Sequence, residues 1–467
     1  MRPLCFVLMP FGEKPDPTGR AAIPFDRIYE TSIRPAIEGA GLRPVRADEE
    51  KTGGIIHKPM FERLLLCEYA VADLTTANAN VFYELGIRHT ARPRTTQTIF
   101  ARHQPIPFDV NFLRALPYEL GANNRFGPGE AAALREALAG RLNALRGLAS
   151  GQAAVDSPVF QLVSDWKPPA IPHGKTDVFR ERVDFSEALK ARLARARSLP
   201  RAEGLAMLTR IRHEMGAPDA QEAGVIIDLM LSYRALKGWE EMIDLYEAMP
   251  ESLKRVVLVR EQLAFAFNRR AGEEGRSGAD RTADRESALR ILEDLEEQQG
   301  PNPETSGLIG RVYKDLWDAD RAVNPALAKG YLRRAIDAYV RGYEADFRDA
   351  YPGINAVTLL DVEGSSQSKS RRDQLLPVVR FAVEQRLRSR EADYWDHATM
   401  LELAVLASDR ERAAECLSDA LASVREVWEP ETTARNLRLI REARAGRGED
   451  AGWLDEMIAA LEAAARR

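Results

Sequence analysis

The residues best suited to chemistry lie in one stretch, Ala72-Asp73-Leu-Thr75-Thr-Ala-Asn78-Ala-Asn80-Val-Phe-Tyr83-Glu84-Leu-Gly86-Ile-Arg88-His89. Asp73 closes a short apolar run with the pattern of a buried strand, which puts its carboxylate at the strand's carboxyl end. Thr75–Asn80 is a polar turn, and either Asn78 or Asn80 can cap the helix that follows by accepting from its free N–H groups. Glu84 then falls in the first or second turn of that helix, near the mouth of the sheet. Cleavage of an N-glycosidic bond develops positive charge on the sugar ring, and a carboxylate close to the anomeric carbon can stabilise or attack it. On that reading Glu84 is the catalytic group, and Asp73 and Asn78 hold sugar hydroxyls. The more ordinary reading has Glu84 complementing the positive end of its helix.

Positioning these groups requires a strand–helix alternation, and the first 120 or so residues have one. Leu4–Met9 is continuously apolar, as expected of a strand buried on both faces. Phe25–Ala40 carries Ile28, Ile33, Ala36, Ile37 and Ala40 at helical spacing, with Gly41 in the usual terminating position. Leu42–Ala47, Ala70–Leu74 and Thr98–Ala101 read as further strands, and Pro59–Glu68 and Ala79–Ala91 as helices. Such an order predicts right-handed crossovers and a parallel sheet, whose ligands bind beyond the carboxyl ends of the strands. The loops Pro10–Pro24, Asp48–Pro59 and Thr75–Asn80 are therefore the places to look. Phe126–Leu148 contains a further helix.

The expected organisation is an α/β domain over residues 1–148, a linker over 149–178 rich in Gly, Pro and Ser, and helices over 179–467. Amphipathic segments follow one another at Val183–Arg197, Ala202–Met215, Ala220–Leu236, Trp239–Met249, Leu253–Arg270 and Asp284–Gln298. The series Leu229, Tyr233, Gly238, Trp239, Ile243, Tyr246, Pro250 has the ingredients of a tetratricopeptide unit. Leu308–Asp346, with Gly310, Tyr313, Ala328, Tyr331, Tyr339 and Gly342, reads as a second unit, and Tyr394–Ala422 as a third. A helix near Trp453–Ala464 would cap the array. Gly272–Arg285 and Asp361–Arg372 look like insertions, so the fold class expected is α/β plus all-α, with a degenerate helical solenoid.

Composition narrows the function. A net charge of −5 over 467 residues offers no basic face for DNA or RNA. The short run Lys369–Arg372 reads as a solvated loop. No stretch approaches the roughly 20 apolar residues that span a membrane, and no signal-peptide pattern opens the sequence; a cytoplasmic protein is expected. Cys5, Cys67 and Cys416 are widely spaced, and Cys5 and Cys67 sit in apolar runs that read as core. Among the histidines, His57, His89 and His103 lie in or near the α/β domain without metal-ligand spacing, so no metal is expected. His89 reads as a cation at the end of its helix. Arg88 reads equally as a phosphate contact or a surface charge. Gly53-Gly54 could bring backbone N–H groups to a phosphate, though a flexible loop is the simpler reading.

Together with Ala72–Gly86, three further stretches carry a resemblance: Phe6-Val-Leu-Met-Pro-Phe11, Phe25-Asp26 through Ile37, and Arg46-Ala-Asp48. This pattern, over about residues 3–120, resembles the nucleoside 2-deoxyribosyltransferase and TIR-like domains, a parallel-sheet flavodoxin/TIR-like fold. The resemblance implies that Glu84 is catalytic and that Asp73, Asn78, Asn80, Tyr83, Phe11, Gly12 and Asp48 bind a nucleoside or a nucleotide such as NAD. No cofactor is implied beyond that substrate. Asn78 stands where that group has an acidic ribose-binding residue.

The second half has its own resemblance. Gly307–Trp317, Tyr339–Ala345 and Tyr351–Leu360 are similar to the central regulatory region of apoptosis signal-regulating kinases, which is named for binding TRAF adaptors and built on tetratricopeptide-like helices. In those kinases the segment resembling Ala70–His89 lacks the glutamate, which implies a non-catalytic version. This chain has no Gly-rich loop with a following strand lysine and no His-Arg-Asp motif, so no kinase domain is read in it. Two functions follow. One is an effector that cleaves the N-glycosidic bond of an NAD-like substrate, its helices mediating protein contact or homo-oligomerisation. The other is a non-catalytic scaffold whose helices recruit partner proteins.

Overall fold

The computed structural model describes residues 2–46, 57–105, 115–147, 155–163, 165–167, 185, 188–221, 223–388, 393–426 and 428–466. They form two compact units, Met1–Ser232 and Tyr233–Arg467.

The first unit is built on five parallel strands: β1 (Leu4–Leu8), β4 (Arg43–Arg46), β5 (Tyr69–Asp73), β6 (Thr96–Ala101) and β7 (Leu116–Tyr118). They lie in the order β4-β1-β5-β6-β7, beside a small antiparallel pair, β2 (Glu13–Lys14) and β3 (Ile23–Pro24). Counted along the chain the main sheet runs 2-1-3-4-5, a doubly wound order whose direction reverses between β1 and β5, where such sheets open a ligand crevice. Alternation along β1 divides the core. Cys5, Val7 and Met9 pack with Ile28, Ile33, Ile37 and Leu138 on one face, and Leu4, Phe6 and Leu8 with Leu64, Cys67, Val81 and Leu85 on the other. Burial on both faces explains why β1 is apolar throughout.

The helix expected over Phe25–Ala40 forms as α1 (Phe25–Ile28) and α2 (Arg34–Gly39), joined by a π-helical turn at Tyr29–Ile33. Gly41 follows at φ +69°. The remaining helices of the sheet are α3 (His57–Leu66), α4 (Ala79–Ala91) and α5 (Pro128–Gly147). Strand β7, three residues long, is absent from the sequence reading. In the stretch read as a linker, α6 (Pro158–Leu162) packs on α4. Ser157 Oγ donates to the His89 carbonyl at 2.6 Å, Trp166 Nε1 to the Thr90 carbonyl at 2.9 Å, and Asp156 accepts from Thr96 N at 3.0 Å.

Two polar expectations are corrected here. Arg88 is neither a phosphate contact nor a surface charge. It is fully buried and donates to the carbonyls of Leu64 and Cys67 at 2.7 Å and of Glu68 at 3.1 Å. It thereby satisfies the acceptors that the end of α3 leaves unpaired. His89 beside it is also buried; desolvation and the Arg88 charge pull its pKa down to about 4, so it is neutral at physiological pH and not a terminal cation. Cys5, Cys67 and Cys416 are all buried.

Helices α7 (Arg201–Met215) and α8 (Ala223–Ala235) follow, the unit boundary falling within α8. The second unit is helical: α9 (Trp239–Glu247), α10 (Glu251–Lys254), α11 (Val257–Ala271), α12 (Gly278–Gln299), α13 (Pro303–Asp320), α14 (Pro325–Ala345), α15 (Ala350–Glu363), α16 (Ser366–Leu387), α17 (Tyr394–Leu406), α18 (Arg410–Ala422), α19 (Trp428–Gly446) and α20 (Leu454–Ala464). Most neighbours in sequence pack together, and α11, α13, α15, α17 and α19 also pack each on the next but one. The result is a two-row arrangement with one tight row.

Helix takes up much of both segments read as insertions. Gly278–Arg285 forms the first turns of α12, capped by Ser277, and Asp361–Glu363 ends α15, with Ser365 capping α16. Lys369–Arg372 is consequently helical and ion-paired, not a solvated loop: Lys369 meets Glu449 at 2.8 Å, Arg371 meets Glu344, and Arg372 meets Asp361.

Asp361 is the centre of this unit. Its fully buried carboxylate receives Arg444 from α19 through two bonds, Nε at 3.0 Å and Nη2 at 3.1 Å. Arg444 also donates to the carbonyls of Val405 and Leu406 at the end of α17, each at 3.0 Å. Close helix packing depends on glycines as well. A Cβ on Gly353 would lie 2.8 Å from the Tyr343 ring and 2.9 Å from Val379 Cγ2, whereas one on Gly330, inside α14, would meet nothing within 4 Å. Gly353→Ala is therefore expected to destabilise the protein by about 1–3 kcal/mol through overpacking. Gly330→Ala should stabilise it by roughly 0.5–1 kcal/mol through helix propensity. Urea unfolding of both variants checks the opposite signs.

Candidate functional site

The sheet topology gathers the sequence candidates at the carboxyl ends of β1 and β5. Phe11 and Gly12 follow β1. The Arg46 guanidinium lies 4.5 Å from the Phe11 ring centroid and 4.6 Å from that of Tyr29, and pairs with Asp26. Gly12, at φ +67°, donates its N–H to the same Asp26 carboxylate at 3.0 Å. Burial would raise the Asp26 pKa, but the Arg46 and Gly12 hydrogen bonds bring it below its ordinary value. Phe11 and Gly12 thus belong to a cationic clasp closing the β1 end. Asp48 and Gly53-Gly54 lie outside the described residues.

After β5, Asp73 is fully buried and both its oxygens are engaged. One accepts from Thr75 N at 3.0 Å and the other from the Tyr118 hydroxyl at 3.0 Å. Burial raises its pKa to about 6 against those bonds. The Thr75 hydroxyl lies 3.0 Å from Tyr118 Oη and accepts from Ala101 N at 2.9 Å, so the network binds β5, β6 and β7 together. Asn78 is the cap of α4, its Oδ1 accepting from Asn80 N at 3.0 Å and Val81 N at 3.3 Å. Asn80 and Tyr83 are exposed. Asp73 and the Asn78 carbonyl oxygen therefore serve the turn itself. A second carboxylate network, which the sequence reading missed, lies in the loop after β2: Asp16 is buried, bonded to Thr18, Gln104 and Asn124, and lies 3.4 Å from His103. Burial opposes its ionisation, yet these bonds hold it well below the usual carboxylate range.

Glu84 is different. It sits in the second turn of α4, half-buried, and desolvation pushes its pKa up to about 7. A residue whose role was to complement the helix dipole would show the opposite shift, and that field fades beyond the first turn. Glu84 is therefore divided between its acid and its base at neutral pH, the condition suited to proton transfer.

The helical unit holds concavities of its own. One, of about 720 Å³, lies between α13 and α19; the other, of about 950 Å³, extends over α13, α15, α17 and α19. Arg311, Lys314, Arg435 and Asn436 line both. Arg311 pairs with Asp315 at 3.0 Å within α13, and Asn268 donates to Asp315 at 2.8 Å. Lys314 Nζ lies 3.5 Å from Asn355 Oδ1, and Asn436 donates to Glu402 at 2.9 Å. Burial lowers the Lys314 pKa, with Arg311 and Arg435 adding repulsion, and burial raises that of Glu402. The sequence signal for this face was a lysine between the core residues Tyr313 and Trp317; which helices it would meet was not readable.

A raised carboxyl pKa has a testable sign. Folded Glu84 retains its proton between the ordinary glutamate value of 4.5 and about 7, so its contribution to stability falls as pH rises through that window. Glu84→Gln removes this loss. The variant should melt above the wild type at pH 8 and show no such advantage at pH 5, as read by thermal denaturation at the two pH values.

Comparison with known proteins adds a family to this geometry. Residues 81–458, from the first turn of α4 into α20, match the MAP3K TRAFs-binding domain. Mitogen-activated protein kinase kinase kinase nsy-1 of Caenorhabditis elegans is 30% identical over 253 residues, 51% of this chain and 16% of the worm protein. Mitogen-activated protein kinase kinase kinase 15 of Mus musculus is 29% identical over 265 residues, 55% of this chain and 19% of the mouse protein. Mitogen-activated protein kinase kinase kinase 6 of Homo sapiens is 24% identical over 353 residues, 71% of this chain and 25% of the human protein. The chain spans a quarter or less of each of these kinases, and the matched stretch has no kinase signature of its own. With the match extending over most of its length, this chain belongs to the MAP3K TRAFs-binding domain family.

Proposed function

We propose that this protein is a regulatory scaffold whose helical unit docks a partner protein, an adaptor of the TRAF class being the first to test. The carrying observation is the family match over 81–458, which takes in the whole row of helices α11, α13, α15, α17 and α19 and the concavities they line. On this reading the two-row packing is a degenerate tetratricopeptide-like solenoid. Such arrays expose a continuous concave surface because each repeat contacts only its neighbours. The α/β unit then serves as a structural or nucleotide-binding module. The engagement of Asp73 and Asn78 in the turn supports that, since the groups that would grip a sugar are committed elsewhere. Chemical cross-linking of the full chain to a purified TRAF adaptor, read by mass spectrometry, is the test. Cross-links are expected at positions between 233 and 458; their absence, or their confinement to residues before 233, would count against the scaffold.

A second reading rests on Glu84 alone. A half-buried glutamate with a pKa near 7, at the carboxyl edge of a doubly wound sheet, is suited to N-glycosidic bond cleavage. On this reading purified full chain releases free base from NAD or a nucleoside, and Glu84→Gln loses at least about a hundredfold in rate, the scale of one general acid or base. Chromatographic detection of free base decides it, and equal release by both proteins, or none by either, rules it out.

A further inference from the structure

The two concavities of the helical unit meet on a wall of three cations. Arg311 and Lys314 stand one turn apart on α13, and Arg435 faces them from α19. The carboxylates around this wall are largely committed. Asp315 is held by Arg311 and Asn268, Asp396 by Arg386 at 2.6 Å, and Glu402 by Asn436. Of the three cations Arg435 is not, and Lys314 is answered only at longer range, by Glu402 and Asp315. Among the described residues Lys314 has no carboxylate within 4.0 Å and only the Asn355 amide oxygen at 3.5 Å, and Arg435 makes no hydrogen bond or ion pair. Arg311 and Arg435 both repel Lys314, and an anion brought between the three relieves that repulsion. Beyond the wall, the larger concavity is bordered by Tyr351 and Trp395, whose side chains are 48% and 37% exposed. A cationic centre with an aromatic-lined end matches an extended peptide better than a lone ion, which would leave that end empty.

We propose that this groove takes an acidic segment of a partner protein, its carboxylates on Arg311, Lys314 and Arg435 and an apolar side chain against Tyr351 and Trp395. This deepens the scaffold reading and rests on it. Charge complementarity of this kind sets partner choice and binding rate, and it weakens with salt.

The test uses the full chain and a fluorescein-labelled peptide with a central Asp-Glu-Asp flanked by leucine and phenylalanine, followed by fluorescence anisotropy. Its Asn-Gln-Asn counterpart should bind at least about tenfold more weakly, and 0.5 M salt should abolish most of the difference. Arg435→Gln should weaken the acidic peptide roughly five- to tenfold, and Arg435→Lys should restore most of the loss. Because Arg435 is exposed and unpaired, its variants should keep the wild-type melting temperature. Equal binding of the two peptides, unchanged binding by Arg435→Gln, or no binding by either would overturn the proposal. Displacement of nothing but inorganic tripolyphosphate, with no peptide bound, would also overturn it in favour of a small oxyanion site. Cross-linking of an adaptor to the wild type and to Arg435→Gln separates the two claims: equal yields leave the scaffold standing while the groove fails, and no yield from either removes the scaffold itself.

Discussion

A carboxylate fully withdrawn from water holds the helical unit together. Asp361 would be costly to bury alone, and its charge is balanced by Arg444, with Arg372 and Arg447 alongside. The same Arg444 satisfies the last carbonyls of α17, so one side chain joins the ends of α15, α17 and α19. Removing Asp361 would strand the Arg444 charge inside the core. The pair therefore specifies how these helices meet, and with that the width of the groove on the row they share.

The sheet unit uses the same solution at a smaller scale. Arg88 lies where α3 ends, and its guanidinium meets the carbonyls of Leu64, Cys67 and Glu68. Fixing α3 against α4 in this way holds the turn between β5 and α4, in which Asp73, Thr75 and Tyr118 bond across three strands. The turn is rigid because its polar groups bond to each other. That commitment is also what separates it from a sugar-binding site, where the same groups would have to face outward. Glu84 is the exception, half-buried on α4 with its carboxyl destabilised as an anion.

The architecture assigns different demands to the two units. A parallel sheet needs both faces covered, so its strands carry little surface for recognition and its chemistry is confined to one edge. Packed helix rows leave side chains of alternate helices facing a common concavity, where charge can accumulate without neutralisation. The groove's cations and the committed carboxylates around them are of this second kind.

Much of the local structure was legible from sequence. The apolar run of β1, the helical spacing of α4 and the polar turn before it are set by periods of two and 3.6 residues and by capping chemistry, which neighbours in the chain decide. Asn78 was one of two asparagines able to cap α4; the backbone entering the helix selected it. The helix start at Gly278 was hidden because a charged, largely exposed stretch without an apolar face carries no helical period, and only the Ser277 cap marks it. The three-residue strand β7 is too short to carry a period. Tertiary structure alone decided the fate of the charges: that Arg88 would be buried as a cap, that Lys369–Arg372 would be paired, and that Arg311, Lys314 and Arg435 would share one wall. Their partners lie far away in the chain, and the cost of burying a charge depends on those partners, not on its own sequence neighbours.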